Sequence, residues 1–129
     1  MIKVTALHLT GKDDRGENYT LESFRTGEFI LCYRKAGSSS GQHYHTGKSA
    51  HKDPEILFLL SGKAELHWCT LDNRAHLEVL TIEAPARVEV PKLLWHQLIA
   101  VTDCSFLELN SLADVQADSV RIWKTDLLK

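Results

Sequence analysis

The stretch Gly41-Gln-His43-Tyr-His45, followed after nine residues by Glu55-Ile-Leu-Phe-Leu-Leu-Ser-Gly62, decides how this 129-residue chain is read. His43 and His45 stand two apart. In an extended strand, side chains at i and i+2 point to the same face, roughly 6–7 Å apart along it. Two neutral imidazoles at that separation can meet one metal ion at about 2.0–2.2 Å each. Glu55 opens residues 56–60, an apolar run without interruption, as a strand covered on both faces must be. Far downstream, Pro91-Lys-Leu-Leu-Trp-His96 offers a third imidazole at the start of another alternating segment.

The same period-2 pattern recurs outward from this centre. Residues 2–9, 19–24, 29–34, 64–71, 76–82, 87–90, 95–101 and 104–110 read as short strands, and no segment carries a persuasive helical stripe. Between them lie turn residues: Gly11 to Gly16, Arg25 to Gly27, Ser38-Ser39-Ser40, and Asp72-Asn73-Arg74. Ser61-Gly62-Lys63 reads as a tight hairpin turn, with glycine available for positive φ. Pro85 and Pro91 bracket 87–90, and the tail from Leu112 fits either an edge strand near Val120, Ile122 and Trp123 or one weak helix. About ten short strands predict an all-β fold with little helix, one domain over residues 1–129, in which closure of the sheet removes exposed edges.

Composition narrows the function classes. Lys plus Arg is 15 and Asp plus Glu is 17, a net charge of −2, which argues against a nucleic-acid or anionic-membrane surface. The longest apolar run, 56–60, falls far short of the ~20 residues that span a bilayer. Met1-Ile-Lys-Val-Thr5 lacks a signal peptide's apolar middle. Cys32, Cys69 and Cys104 are widely spaced, odd in number and free of any CxxC pattern, and read as reduced core thiols without an activating base. These features predict a cytoplasmic protein.

His43-x-His45, then Glu55 followed by six residues and Gly62, resembles the first motif of the cupin superfamily. Pro91 with His96 five residues on resembles the second. The resemblance implies a jelly-roll barrel (a double-stranded β-helix of the RmlC-like kind) with the site inside, frequently as a homodimer. It implies His43, His45, Glu55 and His96 as metal ligands. Three departures stand out: residues 46–54 place nine residues where the family has three or four, Leu93 stands where glycine is usual, and Ala100 where asparagine is. The long insertion must bulge at the barrel mouth for Glu55 to return to register. His51 within it reads as a loop imidazole exposed to water, with a role as substitute ligand or at the rim against substrate as the alternatives if Glu55 does not return.

Three neutral imidazoles and a carboxylate suit Fe, Mn, Co, Ni, Cu or Zn, and leave positions open for water or substrate. The leading expectation is therefore a metal-dependent enzyme (oxygenase, isomerase or lyase) acting on a small organic or sugar-like substrate. Tyr33, on a neighbouring strand, is a candidate proton relay facing the pocket. Tyr44, between the two histidines, points away by strand parity, and Trp68 reads as core. An alternative is metal-free: Asp14-Arg-Gly16 and Tyr33-Arg-Lys35-Ala-Gly37 leading into Gly41–His45 also resemble the sugar-nucleotide epimerases and ketoisomerases of the superfamily. There His43 or His45 would abstract a proton alpha to a keto group, with Lys48 or Arg34 meeting diphosphate charge. A non-catalytic small-molecule-binding module is the third class. A homodimer is expected through residues 2–9 or the tail near Trp123.

Overall fold

A computed structural model describes all residues, Met1–Lys129. Strand β1 (Lys3–Ala6) lies at one edge of a first sheet, and β2 (His8–Asp13) and β3 (Gly16–Thr20) form a separate two-stranded hairpin. β4 (Ile30–Arg34) is the far edge of the first sheet, and the chain then crosses to a second sheet for β5 (Ser39–Tyr44). β6 (Glu55–Ser61) returns to the first sheet, and β7 (Lys63–Thr70) and β8 (Glu78–Glu83) lie in the second. β9 (Ala86–Val90), β10 (Leu94–Ala100) and β11 (Cys104–Glu108) alternate first, second, first. Helix α1 (Leu112–Ala117), the two-residue β12 (Val120–Arg121) and a 3-10 turn at Lys124–Asp126 complete the chain. The sheet orders are β1-β9-β6-β11-β4 and β12-β5-β10-β7-β8.

Alternation explains why the two sheets face each other. On β9, Ala86, Val88 and Val90 point inward, and on β7 Ala64, Leu66 and Trp68 do the same. All of these but Trp68 join Leu57, Leu59, Ile82, Leu98, Ala100, Cys104 and Phe106 in the apolar layer between the sheets. Cys32, Cys69 and Cys104 are all buried thiols, and burial pushes Cys32 up to about 11.

The all-β jelly roll expected from sequence is present, but several boundaries differ. Ser61-Gly62-Lys63 is not a hairpin. β6 pairs with β9 and β11, whereas β7 pairs with β8 and β10, so Gly62 turns a corner from one sheet to the other. Its φ is 86°, and a Cβ there would collide with the Asp103 carbonyl at the neighbouring corner. Residues 2–9 are broken at Leu7 into β1 and β2, and Gly11 lies within β2 rather than in a turn. Residues 21–24 leave the sheet; Arg87 donates to the Glu22 carbonyl at 2.7 Å, which lays this segment over the outer face. Ser39 and Ser40 belong to β5 rather than to a turn. The tail forms both a short helix and an edge strand, and both sheets keep open edges, contrary to the expected closure.

Candidate functional site

A bulge sets the histidine strand. β5 pairs with β10 so that His43 faces His96 while Gly41 faces Gln97, leaving Gln42 as the extra residue at φ 61°. Gly41 has φ 92°, and a Cβ on it would lie 2.9 Å from the His96 carbonyl oxygen, so the close approach requires glycine. The tail braces the bulge: Ile122 N–H donates to the Gln42 carbonyl at 3.0 Å, and Lys124 N–H to its side-chain oxygen at 2.8 Å.

The insertion 46–54 is a strap tied to α1 and its C-cap. The Asp118 carboxylate accepts from Thr46 N and Thr46 Oγ1, each at 2.7 Å, and from Gly47 N and Ser49 N at 3.0 Å. Arg25 donates to the carbonyls of His51 and Pro54. So held, the strap delivers Glu55 opposite Val90 at the start of β6.

The structure brings His43, His45, Glu55 and His96 together, with their donor atoms all within 4.8 Å of one another. The three imidazole centroids are 4.7, 4.9 and 5.2 Å apart. His45 Nδ1 donates to the Asp118 carbonyl at 2.6 Å, and His96 Nδ1 to the Leu94 carbonyl at 2.9 Å. A carbonyl only accepts, so both Nδ1 atoms carry hydrogen and both Nε2 atoms of the neutral rings present lone pairs. Those Nε2 atoms lie 2.8 and 3.1 Å from one oxygen, Glu55 Oε2. Lone pairs aimed at a carboxylate require a proton or a cation between them. The other carboxylate oxygen, Oε1, is 3.3 Å from the ammonium of Lys52, a lysine that is 1% exposed.

Electrostatics follow from burial and these contacts. Burial would raise the Glu55 carboxyl, but the His45 and His96 contacts and the charge of Lys52 outweigh it and hold Glu55 well below the usual carboxylate range. Burial, aided by the neighbouring His96, pushes His43 down to about 3, so its ring is neutral across the physiological range. His43 Nδ1 is buried without a partner. Glu108 is shifted up by burial and by the negative charge of Glu55.

His43, Glu55, His96 and Glu108 share the wall of an interior cavity of about 40 Å³ with apolar residues such as Leu66 and Phe106. That volume holds one or two water-sized groups. Arg34 spans one side of it. Its Nε donates to Ser40 Oγ at 2.7 Å, and its guanidinium lies 5.5 Å from the ring centroid of Phe106, and both partners line the cavity.

Other expected site residues lie elsewhere. Tyr33 is 72% exposed, because Cys32 and Arg34 take the inward positions of β4 and parity sends Tyr33 out; it is not a proton relay in the pocket. His51 sits outside the cluster with Nδ1 3.5 Å from Asp114, and Lys48 is exposed on the strap. Sequence reading missed Lys52, Asp118 and Glu108. Only Glu108 carried a signal, since it shares inward parity with Cys104 and Phe106 on β11.

No protein-family model matches the sequence, and no curated protein matches it either. Solved structures do resemble the fold. QdtA, a sugar 3,4-ketoisomerase from Thermoanaerobacterium thermosaccharolyticum solved with TDP, matches with a TM-score of 0.72 at 14% identity over 98% of this chain and 91% of that one. WlaRB, a TDP-quinovose 3,4-ketoisomerase from Campylobacter jejuni, gives 0.67 at 17% identity over 99% and 98%. ChmJ, a 3'-monoepimerase from Streptomyces bikiniensis solved with dTDP-quinovose, gives 0.75 at 13% identity over 94% and 69%. The shared architecture is the cupin-type jelly roll. No helix is long and apolar enough to cross a membrane.

Proposed function

We propose that this chain is an isomerase or epimerase that moves a proton on the carbon beside a carbonyl of a small, sugar-like substrate, by acid–base chemistry in the barrel interior. The structural neighbours named above are ketoisomerases and epimerases of TDP-linked sugars, which supports the metal-free expectation over the metal-dependent one. The observation that carries the reading is a pair of ionisable groups on one cavity wall whose affinities for protons are displaced in opposite directions. His43 is held neutral, with a pKa of about 3, while Glu108 is shifted upward. Pairs driven apart in this way assign the base and the acid. His43 accepts the proton from carbon, and Glu108 donates to the carbonyl oxygen. A base as weak as His43 needs the developing enolate stabilised, and the Glu108 proton supplies that. Lys52 lies against Glu55 Oε1, and a proton between Oε2 and the two imidazoles meets the remaining contacts without a metal. The small cavity admits only the reacting end of a sugar, which leaves the remainder at the mouth beside Arg34.

A second reading is favoured by a specific feature. The 2.8 and 3.1 Å separations between Glu55 Oε2 and the two Nε2 atoms match the ligand–ligand edges of a coordination shell with bonds of about 2.1 Å. His43, His45, Glu55 and His96 would hold a divalent transition ion, and the carbonyls of Asp118 and Leu94 already orient two of the rings for it. Such an ion would polarise a substrate carbonyl.

One experiment separates the two readings. Chelator-treated protein is incubated in D2O with TDP-4-keto-6-deoxyglucose, and deuterium beside the keto group is followed by NMR. Exchange without metal is expected, falling by about 10²–10⁴-fold in His43→Ala and Glu108→Gln. Exchange only after adding stoichiometric transition metal would transfer the assignment to the metal reading, and none in either state would leave a binding module.

A further inference from the structure

We propose that Lys52 decides what the histidine–glutamate cluster accepts: its ammonium is a built-in cation that keeps divalent metal ions weakly bound there. The inference rests on the cluster being the functional site and adds the residue that sets its loading.

A lysine is almost never fully buried unless paired. Lys52 is 1% exposed, and its side chain ends 3.3 Å from Glu55 Oε1. The carboxylate is thereby divided, with Oε1 facing the ammonium and Oε2 facing His45 and His96. An ion bound through Oε2 and the imidazoles would lie across one carboxylate from a fixed positive charge. In a buried site like charges at that range repel strongly, and the negative charge that would hold the metal is already shared.

The backbone that carries this side chain is fixed. Lys52 N–H donates to the Ser49 carbonyl at 3.0 Å, and Lys52 forms a bridge with Glu55. Arg25 holds the carbonyls of His51 and Pro54, on either side of Lys52. Asp118 fixes the first half of the strap through Thr46, Gly47 and Ser49. Moving the lysine out would require the strap to leave α1.

The test compares zinc and nickel affinity of the parent with Lys52→Met, Lys52→Gln and Lys52→Arg, by calorimetry and by competition with a chromogenic chelator. Lys52→Met should bind both ions at least ~10-fold tighter, and Lys52→Arg should match the parent. Lys52→Gln keeps a hydrogen-bond donor for Oε1 without the charge, and should show the same gain should the methionine variant fold poorly. Adding His43→Ala to the Lys52→Met chain should abolish the gain, placing it in the cluster. Folded Met and Gln variants that bind as weakly as the parent, or more weakly, would overturn the proposal and make Lys52 a positioning partner of Glu55. Deuterium exchange is read separately, so a parent that exchanges nothing while Lys52→Met gains affinity would defeat the proton-transfer reading and leave this one standing.

Discussion

At Asp118 one carboxylate accepts from three backbone amides and the Thr46 hydroxyl, while the same residue's carbonyl takes the Nδ1 proton of His45. Burial alone would raise this carboxyl, yet the donors of Ser49, Thr46 and Gly47 outweigh burial and hold it at about 2. Asp114 is also near 2, chiefly through the Ser49 hydroxyl. A carboxyl whose folded pKa is depressed contributes stability above its unfolded value of about 3.9, and that contribution is lost as pH falls toward 2. Thermal melts from pH 5 to 2 should therefore show a steep loss that Asp118→Asn flattens; an unchanged slope in the variant would contradict the assignment. At neutral pH, Asp118→Ala should cost about 2–4 kcal/mol, since four part-buried donors lose a charged acceptor. Leu93 poses the opposite case. It occupies a position of φ 64° with its N–H on the His45 carbonyl at 2.8 Å. A left-handed non-glycine residue costs on the order of 1 kcal/mol, so Leu93→Gly should raise the unfolding free energy by up to about 1 kcal/mol in urea titrations. A loss of that size instead would mean that the half-exposed side chain packs more than its strain costs.

Among the elements, the corner at Gly62 is the most demanding. Gly62→Ala combines a left-handed backbone with a clash against Asp103, and should cost more than about 2 kcal/mol by denaturant unfolding. A neutral outcome would mean that the two corners move apart readily. This corner also shows where sequence reading stops. A hairpin and a sheet-to-sheet corner use the same glycine chemistry, and only the pairing of β6 with distant β9 and β11 tells them apart. Strands with one covered face were legible because the covered face imposes period two: β4 and β9 fall within a residue or so of the alternating runs, while β6 was legible as an uninterrupted apolar run. Parity likewise made the His43–His45 pair legible, and Glu55 through the apolar strand it opens. The same parity, counted from Cys32 on β4, places Tyr33 outside. α1 left no stripe to read: it is six residues long, buries none of them, and is defined by a capping box between Ser111 and Asp114. Lys52 was illegible for a similar reason, because a loop lying across a barrel mouth has no period from which to tell its buried residue.

At the scale of the molecule, β2 and β3 stand apart, paired only with each other and exposed along nearly their whole length. A two-stranded hairpin is marginal alone in water, so this arm is expected to pack on a second copy. Sedimentation should give about twice the 14.6 kDa of one chain, and deletion of residues 8–20 should return it to the single mass. A full-length chain that sediments as one copy at every concentration would remove that role from the arm. The strap described above links the cluster to the last part of the chain, although His43, His45, Glu55 and His96 all precede it. A chain cut before Asp118 keeps every strand of both sheets except β12, yet His45 loses its carbonyl partner and the Lys52 loop its anchor. Such a shortened chain would carry all four clustered side chains without the contacts that orient His45 and hold the strap, so removing residues 118–129 separates the cluster's ligands from their positioning.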